Sequence, residues 1–138
     1  FGAPYIAPNK LLLRIRKDLK DLPGVLFRPH FSQPMFQKHQ GKVCGGLQIH
    51  VTDRNKFKPL LTSIALLRAI VELYPEEFKW RTEPYEFVSD RLAIDLLYGN
   101  PQLRETIFND NFSLQYIEES WKEELQSFKE MQKNYLIY

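Results

Sequence analysis

The side chains best suited to chemistry crowd into one run, GKVCGGLQIHVTDR, residues 41–54. From Val43 onward apolar and polar residues alternate. Leu47, Ile49 and Val51 fall to one side, and Cys44, Gly46, Gln48, His50 and Thr52 fall to the other. A strand sends successive side chains to opposite faces, so the run predicts a half-buried strand. Its polar face would present a thiol, a bare backbone, an amide, an imidazole and a hydroxyl in one row. The run ends at Asp53-Arg54, an acid beside a base. Such a row suits the lining of a polar cleft.

Geometry limits what these residues can do together. His50 and Asp53 could form an acid–base pair, but three residues apart on a strand they point to opposite faces. They converge only if the strand ends or bulges at Thr52. His50 is better read as a substrate contact, and Asp53 as an anchor for loop amides ahead of the next helix. Cys44 would need a neighbouring base and an electropositive setting to act as a nucleophile, and no helix N-terminus follows it, so it reads as a buried thiol. Gly45-Gly46 has neither the spacing nor the following helix of a phosphate loop. Close approach of a ligand or of another strand explains the pair better. His30, His39 and His50 lack helical metal-site spacing and have few acids nearby, so no metal is expected. Arg28, Lys42, Arg54, Lys56 and Lys58 could grip a carboxylate or a phosphate.

At 138 residues the chain has the length of one domain, read over 1–138, and can bury a real core. No apolar run approaches the length of a membrane span. Cys44 is the single cysteine, which excludes an internal disulfide and a cysteine zinc cage and leaves the compartment open. The first residue is Phe1, so a processed product or a piece of a longer chain is expected. The net charge of +2 conceals an asymmetry. Through Val71 there are twelve Lys and Arg against three acids, and from Glu72 onward seven against fourteen. The basic half could form an anion-binding face, or the halves could neutralise each other across the fold. Nucleic acid is a rival partner for a basic, aromatic-rich surface, but no recognised motif supports it. The aromatics from Trp80 to Phe87 could stack on a sugar or close a core.

The elements that must position these residues follow in order. Phe1 to Pro8 reads as an extended lead-in. Asn9 caps a predicted helix over Lys10 to Lys20, and Leu22-Pro23-Gly24 turns the chain. Val25 to His30 predicts a strand antiparallel to the central run, with Pro29 marking an edge. Phe57 to Tyr74 is the clearest helix, with Pro59 in its first turn. Ser89 is expected to cap a helix through Tyr98, with Gly99 ending it. Asn100-Pro101 starts another helix to about Phe108. Ser113 caps a long helix burying Leu114, Ile117, Trp121, Leu125 and Phe128, and Tyr135 to Tyr138 could add a terminal strand. The class is α+β: a small antiparallel sheet packed by about four to five helices.

Several segments, taken together and in order, resemble a known family. They are Phe1-Gly2-Ala3-Pro4-Tyr5-Ile6, Leu22-Pro23-Gly24-Val25, Cys44 through Asp53, Phe57-Lys58-Pro59, Tyr74-Pro75 with Phe78, Ile94 through Gly99, and Tyr135-Leu136-Ile137-Tyr138. Their order is similar to that of the C-terminal part of the bacterial exo-β-N-acetylmuramidases, once catalogued as a domain of unknown function. The resemblance implies a peptidoglycan glycoside hydrolase that releases terminal N-acetylmuramic acid. It further implies a Rossmann-like N-terminal domain as partner, holding the proposed catalytic glutamate, with substrate in the cleft between. This chain would then be inactive alone and would need no cofactor. Gln48, His50 and Thr52 would face the sugar, and Arg54 or Arg28 would lie near the lactyl carboxylate. Cys44 and Asp53 would be structural or supporting. A secreted or periplasmic location is implied as well. Two other readings stand beside it, a stand-alone muropeptide- or glycan-binding module and a structural protein-interaction domain.

Overall fold

The strand expected from the alternating run forms as β3 (Cys44–Val51), and it is the middle strand of a three-stranded sheet. The protein is described here by a computed structural model covering residues 1–137. β1 (Gly2–Ala3) pairs antiparallel with β3 on one side, Gly2 opposite Gly46 and Ala3 opposite Gly45. β2 (Val25–Ser32) pairs antiparallel on the other side, in a register running from Val25 opposite Val51 to Ser32 opposite Cys44. The lead-in thus contributes a short strand that its Gly-Ala-Pro composition did not announce. β2 extends two residues past the expected end at His30, and Pro29 sits where it was placed, on an edge strand.

The double glycine is explained by another strand. A Cβ on Gly46 would sit 1.9 Å from the Phe1 carbonyl oxygen, and one on Gly45 would sit 2.2 Å from that of Ile6. No side chain fits at either position while the N-terminal chain crosses here. The crossing delivers Ala3 and Ile6 to the core, where they join Leu11, Ile15, Leu22 and Leu47.

α1 spans Pro8–Ile15 and continues as a 3₁₀ segment over Arg16–Asp21. Its start differs from the expected Asn9 cap. Pro8 takes the first turn, where a missing N–H costs nothing, and Ala7 precedes it with no side-chain cap. α2 (Pro59–Leu73) packs Leu61, Ile64, Ala65, Leu66, Ala69 and Ile70 into the core. α3 (Ala93–Tyr98) begins later than Ser89, after extended Leu92, and ends at Gly99 with φ 100°, a left-handed geometry that suits glycine. α4 (Gln102–Thr106) starts as anticipated, with the Asn100 Oδ1 accepting from the Gln102 N–H at 2.9 Å.

The long final helix is broken. Ser113 does cap α5 (Leu114–Ser120), its Oγ accepting from the Tyr116 N–H at 3.3 Å, but α5 stops at Trp121 and α6 (Lys122–Gln132) follows. Leu114 and Ile117 are buried, whereas Leu125 and Phe128 are 45% and 52% exposed. Trp121, shared by the two helices at φ −104° and ψ −1°, separates the buried positions of α5 from α6, which has no buried residue. Residues 135–137 form no strand, and Tyr138 lies outside the described residues. The class is α+β, an antiparallel sheet packed by helices, as expected.

The charge asymmetry is neutralised in part inside the fold. Arg14 of the basic half pairs with Glu72, and Lys58 with Glu118 at 2.6 Å. Phe78 meets Trp80 edge-on at 4.9 Å and both approach Phe108, so these aromatics close the core, while Phe87 is fully exposed and takes no part. The Gly46 crossing is the tightest point of the fold. Gly46→Ala is expected to force β1 away from β3 and to destabilise by about 1–3 kcal/mol, the usual range for overpacking. A lower urea midpoint at unchanged m-value would show it.

Candidate functional site on the open sheet face

Directly opposed residues of an antiparallel pair share a face, so the register assembles the site. Arg28 faces Gln48, Leu26 faces His50, and His30 faces Gly46. Arg28, His30, Gln48 and His50 are all exposed, together with Leu26. The opposite face carries Val25 and Leu47, both buried. Burial does not alternate along β3 as the sequence predicted: Cys44 to Leu47 are all buried and Gln48 to Val51 all exposed, so Ile49 and Val51 of the expected core face stay open.

Arg28 donates through Nη2 to the Gln48 Oε1. This cross-strand bond holds both side chains along the row and leaves the Gln48 amide N–H₂ free to donate outward. Among the described residues, neither Arg28 nor Arg54 has a carboxylate partner. The face can therefore offer a guanidinium, an amide and an imidazole to a polar, anionic ligand. His30 extends the row by one position. Its spacing from Arg28 was visible in the sequence, where it was weighed only as a metal ligand.

Thr52 and Arg54 lie past the end of β3. The Thr52 N–H donates to the Gly24 carbonyl at 2.9 Å, which ties the strand end to the turn before β2. Arg54 is exposed in the following turn, outside the paired register that holds Arg28 opposite Gln48. Asp53 anchors that turn. Its Oδ1 accepts from the Asn55 N–H at 3.0 Å, its Oδ2 lies 3.3 Å from the Lys56 Nζ, and its carbonyl accepts from the Phe57 N–H at 3.0 Å. With its carboxylate so engaged, Asp53 is no partner for His50. Cys44 leaves the row as well. It is 3% exposed, and its Sγ–H reaches the Lys42 carbonyl at 3.6 Å, so the polar row begins in practice beyond the glycines.

Among the described residues this row is an open sheet face, a single wall, and the clefts described next are not lined by Arg28, Gln48 or His50. One cleft of about 420 Å³ lies between Tyr5, His39, Cys44 and Phe78. Another, of about 300 Å³, is lined by Arg14, Asp18, Arg68, Glu72 and Asp110. In the second, Arg68 is nearly buried; it pairs with Glu72 at 2.6 Å, donates to the Ile107 carbonyl and lies 5.4 Å from the Phe112 ring centre. This cluster was missed from sequence. Its one readable signal was an arginine set among Leu66, Leu67, Ala69 and Ile70.

The comparisons with known proteins identify the family and the fold. The family model described as "Exo-beta-N-acetylmuramidase NamZ, C-terminal" matches residues 1–138. The chain belongs to that family, the C-terminal domains of a group of peptidoglycan hydrolases. Among curated proteins it is similar to the peptidoglycan β-N-acetylmuramidase NamZ of Bacillus subtilis (strain 168), with 39% identity over 137 residues. That match takes in 99% of this chain but 30% of the relative, so the chain spans under a third of the relative's length. Its fold is similar to a crystal structure of a DUF1343 family protein from Bacteroides fragilis NCTC 9343, with a TM-score of 0.75 at 23% identity. That match covers 100% of this chain and 34% of the other.

The Arg14–Glu72–Arg68 cluster makes stability pH-dependent. Partial burial pushes the Glu72 carboxyl up, but hydrogen bonds and charge from Arg14 and Arg68 outweigh it and hold the group below its ordinary 4.5. A carboxyl depressed by folding stabilises above its unfolded pKa and loses that contribution as pH falls through its folded value. Wild-type stability should therefore drop as pH is lowered below 4.5. Glu72→Gln should be less stable at neutral pH and should show a flatter profile in that acidic window. Urea denaturation across a pH series compares the two.

Proposed function

We propose that this domain forms the sugar-contacting wall of a peptidoglycan glycoside hydrolase that releases terminal N-acetylmuramic acid. The observation that carries the reading is the exposed row of Arg28, Gln48 and His50, with no carboxylate pairing its arginine. N-acetylmuramic acid presents hydroxyls, an amide and a lactyl carboxylate, and the row offers donors matched to each. Gln48, His50 and Thr52 contact the sugar in this reading, and Arg28 or Arg54 takes the carboxylate. Arg28 has the advantage of position, since it lies within the row, whereas Arg54 must reach in from the turn.

Glycoside hydrolysis ordinarily needs two carboxyl groups flanking the bond, about 5–10 Å apart. On this face the nearby acid is Asp53, which is committed to its turn. The catalytic carboxyl groups and the opposite wall of the cleft therefore belong to another part of a longer protein, a Rossmann-like N-terminal domain in this reading. The domain alone is inactive, and the whole acts at the cell wall after secretion or in the periplasm.

A stand-alone binding module is the second reading, favoured by the same exposed row. Calorimetric titration of the 138-residue chain with muropeptides separates the two, because one wall of a cleft should bind only weakly. The interaction-domain reading is less well supported, since part of the charge that would dock a partner is paired internally. For the principal reading, the test is release of muramic acid from a chromogenic glycoside by the full-length protein. The His50→Ala, Arg54→Ala double variant should lose about 100-fold in kcat/KM, close to 2.7 kcal/mol of transition-state binding. Turnover at the wild-type level would remove these residues from the site.

A further inference from the structure

The second half of β3 has an unpaired edge. β1 is two residues long against eight in β3, and its pairing stops at Gly46. The last bond on that side runs from the Leu47 N–H to the Phe1 carbonyl, at 3.0 Å. Along an antiparallel strand the N–H and C=O groups of alternate residues face the same neighbour. Leu47 faces the β1 side, so Ile49 and Val51 do too. Gln48 and His50 face β2, in step with the Thr52 N–H bonded to the Gly24 carbonyl.

Ile49 and Val51 therefore present main-chain donors and acceptors with no strand beside them among the described residues. Their side chains belong to the core face of the sheet, yet they remain 37% and 46% exposed. A β-branched, unblocked edge of this kind is a template for pairing, and folded proteins cover such edges or blunt them with charge or proline. Neither device is present from Leu47 to Val51.

Chain direction names the occupant. β1 runs antiparallel to β3, so each residue upstream of Phe1 advances one position toward Val51. The register puts the residue immediately before Phe1 opposite Gln48, the next opposite Ile49, and two more reach His50 and Val51. We propose that, in the full-length protein, the polypeptide entering this domain continues β1 along the free edge of β3 as far as Val51. This rests on reading the chain as part of a longer protein, and it adds a structural consequence. The link from the preceding domain would be hydrogen-bonded to the same strand that carries Gln48 and His50. The two walls of the cleft would then be set in register by a strand instead of a flexible tether.

The test is residue-resolved amide hydrogen exchange on the full-length protein, with muramidase turnover measured on the same sample. The Ile49 and Val51 amides should exchange at least about 100-fold more slowly than unstructured amides, independently of protein concentration. Proline at the second residue before Phe1, opposite Ile49, should accelerate Ile49 and Val51 by about tenfold or more while Gln48 and His50 stay slow. Three results overturn the proposal: fast exchange at Ile49 and Val51 in the wild type, protection that disappears on dilution, or protection untouched by the proline. Protection lost on dilution would assign the edge to a second copy of the chain. If the proline variant does not fold, the wild-type exchange and its concentration dependence decide. Fast exchange with normal turnover would sink the strand extension and leave the functional reading standing; slow exchange without turnover would do the reverse.

Discussion

The crossing of the N-terminal chain over Gly45 and Gly46 is the contact on which the rest of the structure depends. Two carbonyl oxygens, of Phe1 and Ile6, occupy positions that any side chain on β3 would claim. That closeness brings Ala3 and Ile6 into the core and places Pro8 to open α1 directly beneath the sheet. It also divides β3. The half from Cys44 to Leu47 is buried by β1 and α1, and the half from Gln48 to Val51 emerges from under them. A structural segment and a chemical segment thus share one strand, with the boundary where β1 ends.

That division decides the electrostatics of the exposed half. Elsewhere several basic and acidic side chains meet, as in Arg14 with Glu72, Lys58 with Glu118 and Arg104 with Asp95 at 2.9 Å. Along the Arg28–Gln48–His50 row they do not. Arg28 spends one donor on a neutral amide, which orients the guanidinium without cancelling its charge. An oriented and unneutralised cation is a better anion contact than a free one, because less side-chain entropy is lost on binding. Surface pairs such as Asp53 with Lys56 contribute little energy, but they do settle which carboxylates are unavailable to the row.

What could be read from residue order alone follows the range of the interactions involved. The period of two in Leu47, Ile49 and Val51 found the strand, since strand geometry needs no distant partner, but not its burial, because Ile49 and Val51 lie beyond the stretch that β1 and α1 cover. Gly99 and Ser113 marked helix ends through equally local chemistry. Asp53 was legible as a turn anchor because its bonds span two to four residues. The losses are all long-range. Two residues of β1 carry no period, and only contact with Gly45 and Gly46 makes them a strand. Cys44 has the polar phase of the alternation, but packing from elsewhere buries it. The Trp121 break left Leu125 and Phe128 in helical phase with a core they do not reach. Arg68 was hidden because its partners, Glu72 aside, are Ile107 and Phe112.

In the proposed reading the row is one wall of a cleft, and physical reasons favour dividing a hydrolase in that way. A wall that binds sugar benefits from rigidity, and a strand fixed by β2 on one side and pinned at its glycines supplies it. A catalytic carboxyl group needs an environment that shifts its pKa, which water-exposed sheet residues do not have. Placing both on one open face would give a soft acid in bulk solvent. In the proposed reading, a second surface over Gln48 and His50 would exclude water while substrate is held and would strengthen the polar contacts of the row. The row is therefore worth more in an assembled cleft than on this surface. A weak affinity of the isolated chain for muramyl sugars is then the expected companion of strong effects from the same residues in the intact protein.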